Sequence, residues 1–552
     1  MDEFAPPFAK DPYTEQEQHI LAPFFTNLDK SVYVPLIFSP EMIGALCSRT
    51  SRAADDLRLV FLKEYAQPFL GENDEYGKHL KAFIEFLHEH PTIDMFSNPK
   101  ARSFYTKWLA QYGDDSIAQM AGMHVVYTGL SQLAIKHFED QRIGLAPIEK
   151  STRYVNYSVK TNGKYRYYTD PVLKDYGLKE KYEDAMDTLF DTYADLIPKL
   201  SVHLAQRFPE ETASVVEKKA FDTVRGLLPV STLSQVAFFG NGQSFEYLMA
   251  RSLEHSLGEV RWAAHKTREE LNAIAPSFLR RTQDDSGKAQ AYHQYLAQKS
   301  ARMKKYASNE VPQTMALAPS VELVEYDKGG EAKVIAGMLY AAEEMHGTWN
   351  DALAAAKKMS KKQQKSVIDA YVQGRGQRWQ KVGRAFENTY VRFEIAMNIG
   401  AWRDLQRHRM LTQMRQQFTC AHGYDTPPEL IEAKLDGPYR KAMEGAKSVF
   451  EEIAKENTAV AQYAVPMAYR VRFMQYKNIR ECFWEMELRT IPEGHPDYRH
   501  IEQEKFRLFE KAFPLLSQYM HVNMGEYDFA RRGQEEKIQH KLRQLEKMNA
   551  QV

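Results

Sequence analysis

The sequence has few cysteines, no excess of either charge and no long apolar run. Its three cysteines, Cys47, Cys420 and Cys482, lie far apart without C-x-x-C spacing, which argues against a disulfide framework or a zinc site and fits a reducing compartment. Lysine plus arginine (73) balances aspartate plus glutamate (73), so no whole-molecule field would draw the chain to nucleic acid or to an anionic membrane. We therefore expect neither as a partner, and any bound phosphate must be held by a local cluster.

The chain also lacks targeting and membrane signals. Its start, MDEFAPPFAKDPYTEQ, is acidic and contains proline but has no apolar core, and no segment approaches the ~20 apolar residues of a membrane helix. We expect a soluble, cytoplasmic protein. With 552 residues, of which 43% are hydrophobic, the chain can fold into two to four domains at about 100–200 residues each.

The two halves of the chain match each other in order. A short strand, a proline turn and a helix are predicted at 32–53 and again at 321–344. Helical segments that begin at Tyr182 and Tyr439 match next. They are followed by the proline-containing segments 225–230, predicted to precede a helix, and 462–467, and then by final helices within 244–261 and 478–490. Matches in one order, about half a chain apart, indicate a duplicated domain.

Both halves are predicted to be mostly helical, with strand-like runs only at places such as 164–168 and 390–395. The fold class is therefore α+β and helix-dominated, with two tandem domains. The polar segment between the halves ends in proline-containing sequence and has the character of a linker with a connecting helix. We predict an arm at 1–27, a first domain at 28–280, a linker at 281–320, a second domain at 321–540 and a tail at 541–552.

One cluster of charge stands out in the second half. Arg407, His408 and Arg409 are adjacent and are predicted to lie near the end of a helix whose other face is core. Adjacent cationic groups repel one another, and this cost is tolerated most easily beside an anion or an electron-rich heterocycle. A solvated helix face is the alternative, and spacing alone favours it.

The triplet, which follows the segment VRFEIAMNIGAW, resembles the signature of the flavin-dependent thymidylate synthases. The segment NIRECFWEMELR is similar to the final helix of that family. The resemblance implies that the triplet contacts the flavin and the uracil and that Arg407 and Arg409 are catalytic. It also implies cofactor-binding roles for His408 and for the helix residues Asn478 and Arg480, and a substrate-binding role for Arg489, which closes the helix.

The second half departs from this pattern after the triplet. The family's nucleotide-binding Glu-x-Ser-x-Arg stretch is replaced there by Arg415, Gln417 and Thr419. That stretch occurs instead in the first half, as Glu149, Ser151 and Arg153 followed by Tyr154, where the place of the triplet is taken by EDQR at 139–142.

Other family elements resemble residues of the first half. Arg225 begins an Arg-x-x-Leu-Pro element, Arg251 matches the closing arginine, and GEVR at 258–261 is similar to a Glu-Ile-Arg element. Ser116 matches a flavin-contacting serine, although Asp114 and Met120 stand where histidine is usual. Each half thus retains what the other has lost.

The resemblance implies an activity and an assembly. The family methylates uracil C5 of dUMP with methylenetetrahydrofolate, using FAD as hydride carrier and NADPH as reductant, in homotetramers that share active sites between subunits. A fused duplicate would form a pseudo-dimer, and two such chains would form a homodimer that mimics the tetramer. Glu149, Ser151 and Arg153, with Arg225 and Arg251, would bind the deoxyribose and phosphate, since a planar guanidinium suits phosphate.

Several alternatives remain open. The chain could be a diverged flavoprotein for another pyrimidine nucleotide, or a non-catalytic binding or assembly module, and Arg153 could be part of a surface ion pair. The pairs Glu85-x-x-His88 and Glu343-x-x-His346 have the spacing of di-iron ligands, but they occupy non-equivalent places in the repeat, so no metal is predicted. The basic run 357–365 is expected to be a solvated turn and helix start.

Overall fold

The structure is a computed structural model that describes residues 1–8, 12–71, 75–95, 98–111, 115–141, 143–153, 155–282, 287–529 and 543. The chain forms two compact units. The first unit consists of Met1–Gln206, Ala220–Thr314 and Thr426–Met467; the second consists of Arg207–Lys219, Met315–Asp425 and Ala468–Val552. In the described part of the chain, we find no helix with the length and apolar character needed to cross a membrane.

Each unit contains one four-stranded antiparallel sheet. The first sheet has the order β1-β2-β4-β3 and contains β1 (Val32–Tyr33), β2 (Gly122–Ser131), β3 (Leu145–Glu149) and β4 (Leu233–Asn241). The second has the order β5-β6-β8-β7 and contains β5 (Ser320–Tyr326), β6 (Tyr390–Asn398), β7 (Thr412–Arg415) and β8 (Arg470–Asn478). The identical strand order confirms the predicted duplication.

Helices dominate the rest of the structure, which confirms the predicted helix-rich α+β class. The helix expected in the linker is Lys288–Glu310. The described helices of ten or more residues are Pro40–Thr50, Glu75–Glu89, Lys179–Arg207, Ala213–Val224, Gly242–Ser252, Gly258–Ile274, Lys288–Glu310, Gly330–Tyr340, Trp349–Lys358, Lys361–Tyr371, Asp436–Glu456, Ile479–Arg489 and Pro496–Ala512. The predicted domain boundaries follow the repeats along the chain and stay a prediction.

Four strands run directly into helices, and each of these helices begins with a side-chain N-cap. Ser131 and Asn398 end β2 and β6, and Asn241 and Asn478 end β4 and β8; each side chain accepts a hydrogen bond from the backbone N–H three residues later. An extended residue with a side-chain oxygen satisfies a donor that the first helical turn leaves free. The caps also align the repeats, because Ser131 corresponds to Asn398 and Asn241 to Asn478.

Two local predictions were wrong. The segment 225–230 precedes strand β4 rather than a helix, because Leu233–Asn241 lies at the centre of its sheet and is buried on both faces at most positions, which hides the alternating pattern. Residues 164–168 form only isolated bridges, Thr161 with Lys164 and Tyr167 with Thr232. The strand predicted at 390–395 is confirmed as part of β6.

The proline-containing segments of the two repeats pair with each other inside the first unit. Pro229 faces Pro466, Val230 N donates to Val465 O at 2.9 Å, and Met467 N donates to Leu228 O at 2.9 Å. These residues occupy equivalent positions of the two repeats, so the pairing has local two-fold pseudo-symmetry.

Candidate functional site

The Arg-His-Arg triplet lies just beyond the short helix Ile399–Leu405 of the second unit. The side chain of Arg407 is 43% exposed and lies 3.8 Å from Asp404, and Arg409 is half-buried. His408, in contrast, is only 4% exposed. The triplet therefore has an exposed Arg407 and a half-buried Arg409 on either side of a buried imidazole, so it is more than a solvated helix face.

Both ring nitrogens of His408 are engaged. Nδ1 lies 2.9 Å from Glu481 Oε1, and Nε2 accepts a hydrogen bond of 2.9 Å from Arg489 Nε. A guanidinium can only donate, so Nε2 must carry the lone pair and Nδ1 the proton. Burial, followed by the nearby charges of Arg489, Lys477 and Lys505, holds the pKa of His408 well below 6.5, which keeps the ring neutral.

The helix Ile479–Arg489 presents the other residues that the resemblance assigned to this site. Asn478 caps the helix through Oδ1, Arg480 Nη1 donates to Glu387 Oε1 at 2.6 Å, and Arg489 lies 3.8 Å from Asp404. The structure therefore brings Arg489 and His408 together and gives both arginines Arg407 and Arg489 the same acidic neighbour. The predicted contact of His408 with a flavin is not tested by these internal contacts.

Sequence reasoning missed a buried ionic cluster behind the triplet. Lys477 pairs with Glu485, and Lys505 donates to Glu502 Oε1 at 2.7 Å and lies 3.3 Å from Glu485 Oε1, while Gln475 bonds to both lysines. Burial lowers the pKa of Lys477 to about 7. Alternation along β8 is the signal that could have found the cluster, since Gln475 and Lys477 fall on its buried face.

The place of the missing nucleotide element in the second repeat is filled by packing. Arg415, which stands where the family has glutamate, ends β7 with its guanidinium 4.4 Å from the ring centroid of Phe418 and 5.5 Å from that of Trp402. Stacked guanidiniums of this kind are held by the aromatic faces. The structure thus gives Arg415 a contact of its own that the sequence pattern does not predict.

In the first unit, Glu149 is at the end of β3 and is buried in an ion triad. Lys136 Nζ lies 2.8 Å from Glu149 Oε2 and 2.5 Å from Glu139 Oε2, and all three side chains are almost completely buried. A carboxylate survives such burial only when it is paired. The predicted role of Glu149 as a ribose acceptor stays a prediction, and Lys136 is a partner that sequence reasoning missed.

Arg153 and Arg225 meet at a single carboxylate. Arg153 Nε donates to Asp222 Oδ1 at 2.9 Å, Arg153 Nη2 donates to Asp222 Oδ2 at 2.7 Å, and Arg225 Nε lies 3.5 Å from Asp222 Oδ1. Ser151 Oγ accepts from Arg153 N at 3.2 Å. Sequence reasoning missed Asp222, although a carboxylate one helical turn before Arg225 is a recognisable signal.

Arg251 contacts the residue that replaces the histidine of the triplet. Arg251 Nη1 donates to Gln141 Oε1 at 3.2 Å, and Gln141 and His408 both lie ten residues after their helix caps. Counted from the other pair of caps, however, Ser252 and not Arg251 corresponds to Arg489, since each lies eleven residues after its cap. The closing arginine of the first repeat is therefore one position out of register.

The remaining first-half candidates have varied environments. Ser116 is exposed on the short helix Asp115–Ala118, and Met120 is also exposed. Glu259 of the GEVR element is buried and accepts hydrogen bonds from Ser131 and Tyr463, with its pKa raised to about 7 by burial, so its contacts are internal. Asp114, Arg142 and Tyr154 lie outside the described residues.

The Glu85-x-x-His88 pair and the basic run 357–365 form ordinary hydrogen bonds and ion pairs. His88 Nε2 lies 2.7 Å from the His19 carbonyl, and Glu85 bonds to the His19 ring. Within the described ranges, no group of three or more His, Cys, Asp or Glu side chains has the arrangement of a metal site. In the basic run, Lys361 and Lys365 pair with Glu331 and Asp369. Ion pairs at exposed helix ends fit the solvated interpretation of that run.

Comparisons with known proteins agree with the repeat. The family model described as thymidylate synthase complementing protein matches residues 76–277 and 322–515. A UPF0159 protein of Chlamydia pneumoniae is 35% identical over 95% of this chain and 98% of its own length. A UPF0159 protein of Thermoplasma acidophilum is 30% identical over 88% of this chain and 96% of its own.

More distant matches carry functional names. A flavin-dependent thymidylate synthase of Mycobacterium sp. (strain JLS) is 26% identical over 36% of this chain and 78% of its own length. A solved UMP/dUMP methylase of Streptomyces cacaoi with bound 5-Br dUMP covers 37% of this chain and 96% of its own, at 15% identity and a TM-score of 0.29. The family model matches one segment in each repeat, so the chain belongs to the thymidylate synthase complementing protein family and carries two copies of its domain.

Proposed function

We propose that the protein is a flavin-dependent thymidylate synthase-like enzyme that methylates dUMP to dTMP with methylenetetrahydrofolate, FAD and NADPH. The observation that carries the proposal is the arrangement of the triplet. An exposed Arg407 and a half-buried Arg409 flank a neutral, buried His408 that accepts a hydrogen bond from Arg489. Family membership and the name of the mycobacterial relative support the same conclusion.

The donor set of the second unit fits a flavin. Arg407 is an exposed cation, Arg409 is a half-buried one, and Arg480 adds a third that is 37% exposed. Guanidiniums complement the N1–C2 carbonyl edge of an isoalloxazine, where negative charge develops on reduction, and the flavin pyrophosphate is itself an anion. When bound, FAD supplies the hydride that completes the new methyl group. Asn478, Arg480 and Ser116 are assigned to cofactor binding within this proposal.

The protein residues activate the uracil by polarisation. Carbon C5 becomes nucleophilic when charge on the uracil carbonyl oxygens is stabilised, and preorganised guanidiniums provide that stabilisation in the manner of an oxyanion hole. Arg407 and Arg409 have this role in the proposal, and Arg489 binds the nucleotide. No cysteine nucleophile is required, which agrees with the burial of Cys47, Cys420 and Cys482.

Besides Arg489, the nucleotide-binding residues of this proposal lie in the first unit. Arg153 and Arg225 approach Asp222 together, so an incoming phosphate would meet two preorganised donors and share them with one carboxylate. Arg251 adds a further positive charge. Ser151 and Glu149 complete the set as a hydroxyl donor and a hydroxyl acceptor.

One observation favours a second candidate, a non-catalytic binding or assembly module. Glu149 is fully paired with buried Lys136, and Arg153 is fully bidentate on Asp222, so both have structural partners without any ligand.

A diverged flavoprotein that acts on another pyrimidine nucleotide is the third possibility, supported by the replacement of the second nucleotide element by Arg415, Gln417 and Thr419.

Flavin binding tests the proposal. The purified protein is expected to be yellow or to take up added FAD, because the triplet retains its surface guanidiniums. Arg407→Ala and Arg409→Ala should each weaken FAD binding about tenfold or more, since a charge-assisted contact is lost. Arg507→Ala, which removes an exposed arginine paired with Glu504, is the matched control. A colourless protein that takes up no FAD would favour the binding module.

Association and location also belong to the proposal. Because one chain supplies two of the four domain copies in the family's tetramer, we propose a cytoplasmic homodimer. Light scattering at micromolar concentration should give twice the chain mass of 63.8 kDa. A strict monomer under those conditions would count against the assembly.

A further inference from the structure

We propose that Glu481 is a positioning residue that holds Arg489 through His408, and that protonation of Glu481 releases this arginine. The inference rests on the proposed function, in which Arg489 binds the nucleotide. It adds a built-in pH control to that site. Glu481 and Arg489 lie on the helix that follows β8, and His408 is the middle residue of the triplet. All three belong to the second unit.

The hydrogen bonds set a strict order of donors and acceptors. Arg489 Nε can only donate, so His408 Nε2, 2.9 Å away, must accept. A neutral imidazole then carries its one proton on Nδ1, which lies 2.9 Å from Glu481 Oε1. An ionised carboxylate only accepts, so it selects this tautomer. The charge of Glu481 thereby keeps the lone pair of His408 on Nε2, the ring nitrogen that accepts from Arg489.

A protonated Glu481 no longer imposes this order. A neutral carboxyl has both a hydroxyl donor and a carbonyl acceptor, so it no longer selects the Nδ1 tautomer. When its hydroxyl donates to Nδ1, the imidazole proton is on Nε2, and two donors face each other across the contact with Arg489. The other acidic neighbour of Arg489 is Asp404, at the longer distance of 3.8 Å. Arg489 therefore loses its close partner. The imidazole does not take up a second proton instead, because burial and the surrounding cations keep the pKa of His408 well below 6.5.

The groups around the pair place the switch near neutrality. Burial raises the pKa of Glu481 to about 7, and the lysines oppose this rise. A carboxyl with a raised pKa is ionised above that value and protonated below it, so Arg489 is held at alkaline pH and released at acidic pH. The charged groups that face the pair are Lys477 on β8, Lys505 and Glu502 on helix Pro496–Ala512, Lys381 before β6, Glu485 and Arg489 on the helix of Glu481, and Asp404 before the triplet.

The first repeat serves as an internal control. Ser244 corresponds to Glu481, because each lies three residues after its helix cap, and Gln141 corresponds to His408. There, Arg251, one position before the residue that corresponds to Arg489, donates to the neutral amide oxygen of Gln141. A similar arginine contact thus forms with an amide in place of the imidazole. At the corresponding positions, only the second repeat has both the acid and the imidazole.

Variants in the chain test the proposal by nucleotide titration. We expect the affinity of the wild type for dUMP to fall about tenfold more between pH 8 and pH 6 than that of Glu481→Gln, since only about a tenth of the sites remain competent one unit below the pKa. The dUMP phosphate also titrates near pH ~6, but it does so equally in every variant. The difference between proteins therefore reports on Glu481.

A second variant distinguishes positioning from simple structural damage. His408→Gln places an amide beside Arg489, much as Gln141 lies beside Arg251, and the amide oxygen accepts from Arg489 without a tautomer. This variant should bind dUMP at pH 6 as tightly as the wild type does at pH 8, apart from the shared phosphate effect, and adding Glu481→Gln should change nothing further. An equal pH dependence in the wild type and in His408→Gln would overturn the inference.

The tautomer can be measured without any ligand. In protein labelled with ¹⁵N-histidine, the signal missing from His408→Gln identifies His408. We expect a proton on Nδ1 at pH 8 and on Nε2 at pH 6, with no transition in Glu481→Gln. A constant tautomer overturns the positioning switch. Failure of dUMP to bind the wild type at any pH, with the tautomer change intact, would instead count against the proposed function.

Discussion

Replacement of Lys505 by methionine is expected to lower the free energy of unfolding by ~3–5 kcal/mol, the cost of breaking a buried ion pair on one side. Lys505 is fully buried, donates to Glu502 at 2.7 Å and lies 3.3 Å from Glu485. The variant leaves Glu502 in the core without that counter-charge, and burial of an unpaired carboxylate is costly. Urea denaturation followed by circular dichroism measures the loss.

Two further variants make this prediction specific. Lys511→Met changes an exposed lysine on the same helix and should alter the unfolding free energy by no more than about 0.5 kcal/mol. Adding Glu502→Gln to Lys505→Met removes both charges and should recover a good part of the loss. If Lys505→Met were as stable as Lys511→Met, the cluster would not be a buried ionic network.

Replacement of Arg153 by alanine is expected to weaken dUMP binding about ten- to a hundredfold while FAD binding is unchanged. A charge-assisted phosphate contact is worth ~1.5–3 kcal/mol, and Arg153 is preorganised by its bidentate contact with Asp222. Calorimetric titration of dUMP and FAD into the variant measures both affinities. The separation follows because the proposal assigns Arg153 to the nucleotide and not to the flavin.

Arg440→Ala is the matched control for this experiment. Arg440 lies in the first unit and pairs with Asp436 on an exposed helix face at 3.0 Å. If Arg153 serves only its ion pair with Asp222, both variants should change dUMP affinity by less than about 0.5 kcal/mol. Equal loss of dUMP and FAD in Arg153→Ala would indicate misfolding rather than loss of a phosphate contact.

Much of the architecture could be predicted because it depends on local order along the chain. The duplicated segments predict two copies of one fold, and the strand orders β1-β2-β4-β3 and β5-β6-β8-β7 confirm it. The central strand β4 was not predicted, because burial on both faces removes the alternation that marks a strand. The register of Arg251 also depends on a helix cap, Asn241, which the sequence motif does not include.

The site was less predictable, since its supporting contacts join residues that are far apart in sequence. Arg407, His408 and Arg409 could be chosen from adjacency, but the burial of His408 between Glu481 and Arg489 needs the fold. The Lys136 partner of Glu149 is likewise set by tertiary packing. In a single sequence, buried charges in helices and strands cannot be told from surface charges, so these partners could not be predicted.

Formation of dTMP tests the central claim most directly. The purified protein is incubated with dUMP, methylenetetrahydrofolate, FAD and NADPH, and dTMP is measured by mass spectrometry. The proposed function predicts dTMP in the wild type and in Arg507→Ala, and its loss in Arg407→Ala. A wild-type protein that binds both FAD and dUMP but forms no dTMP would contradict it.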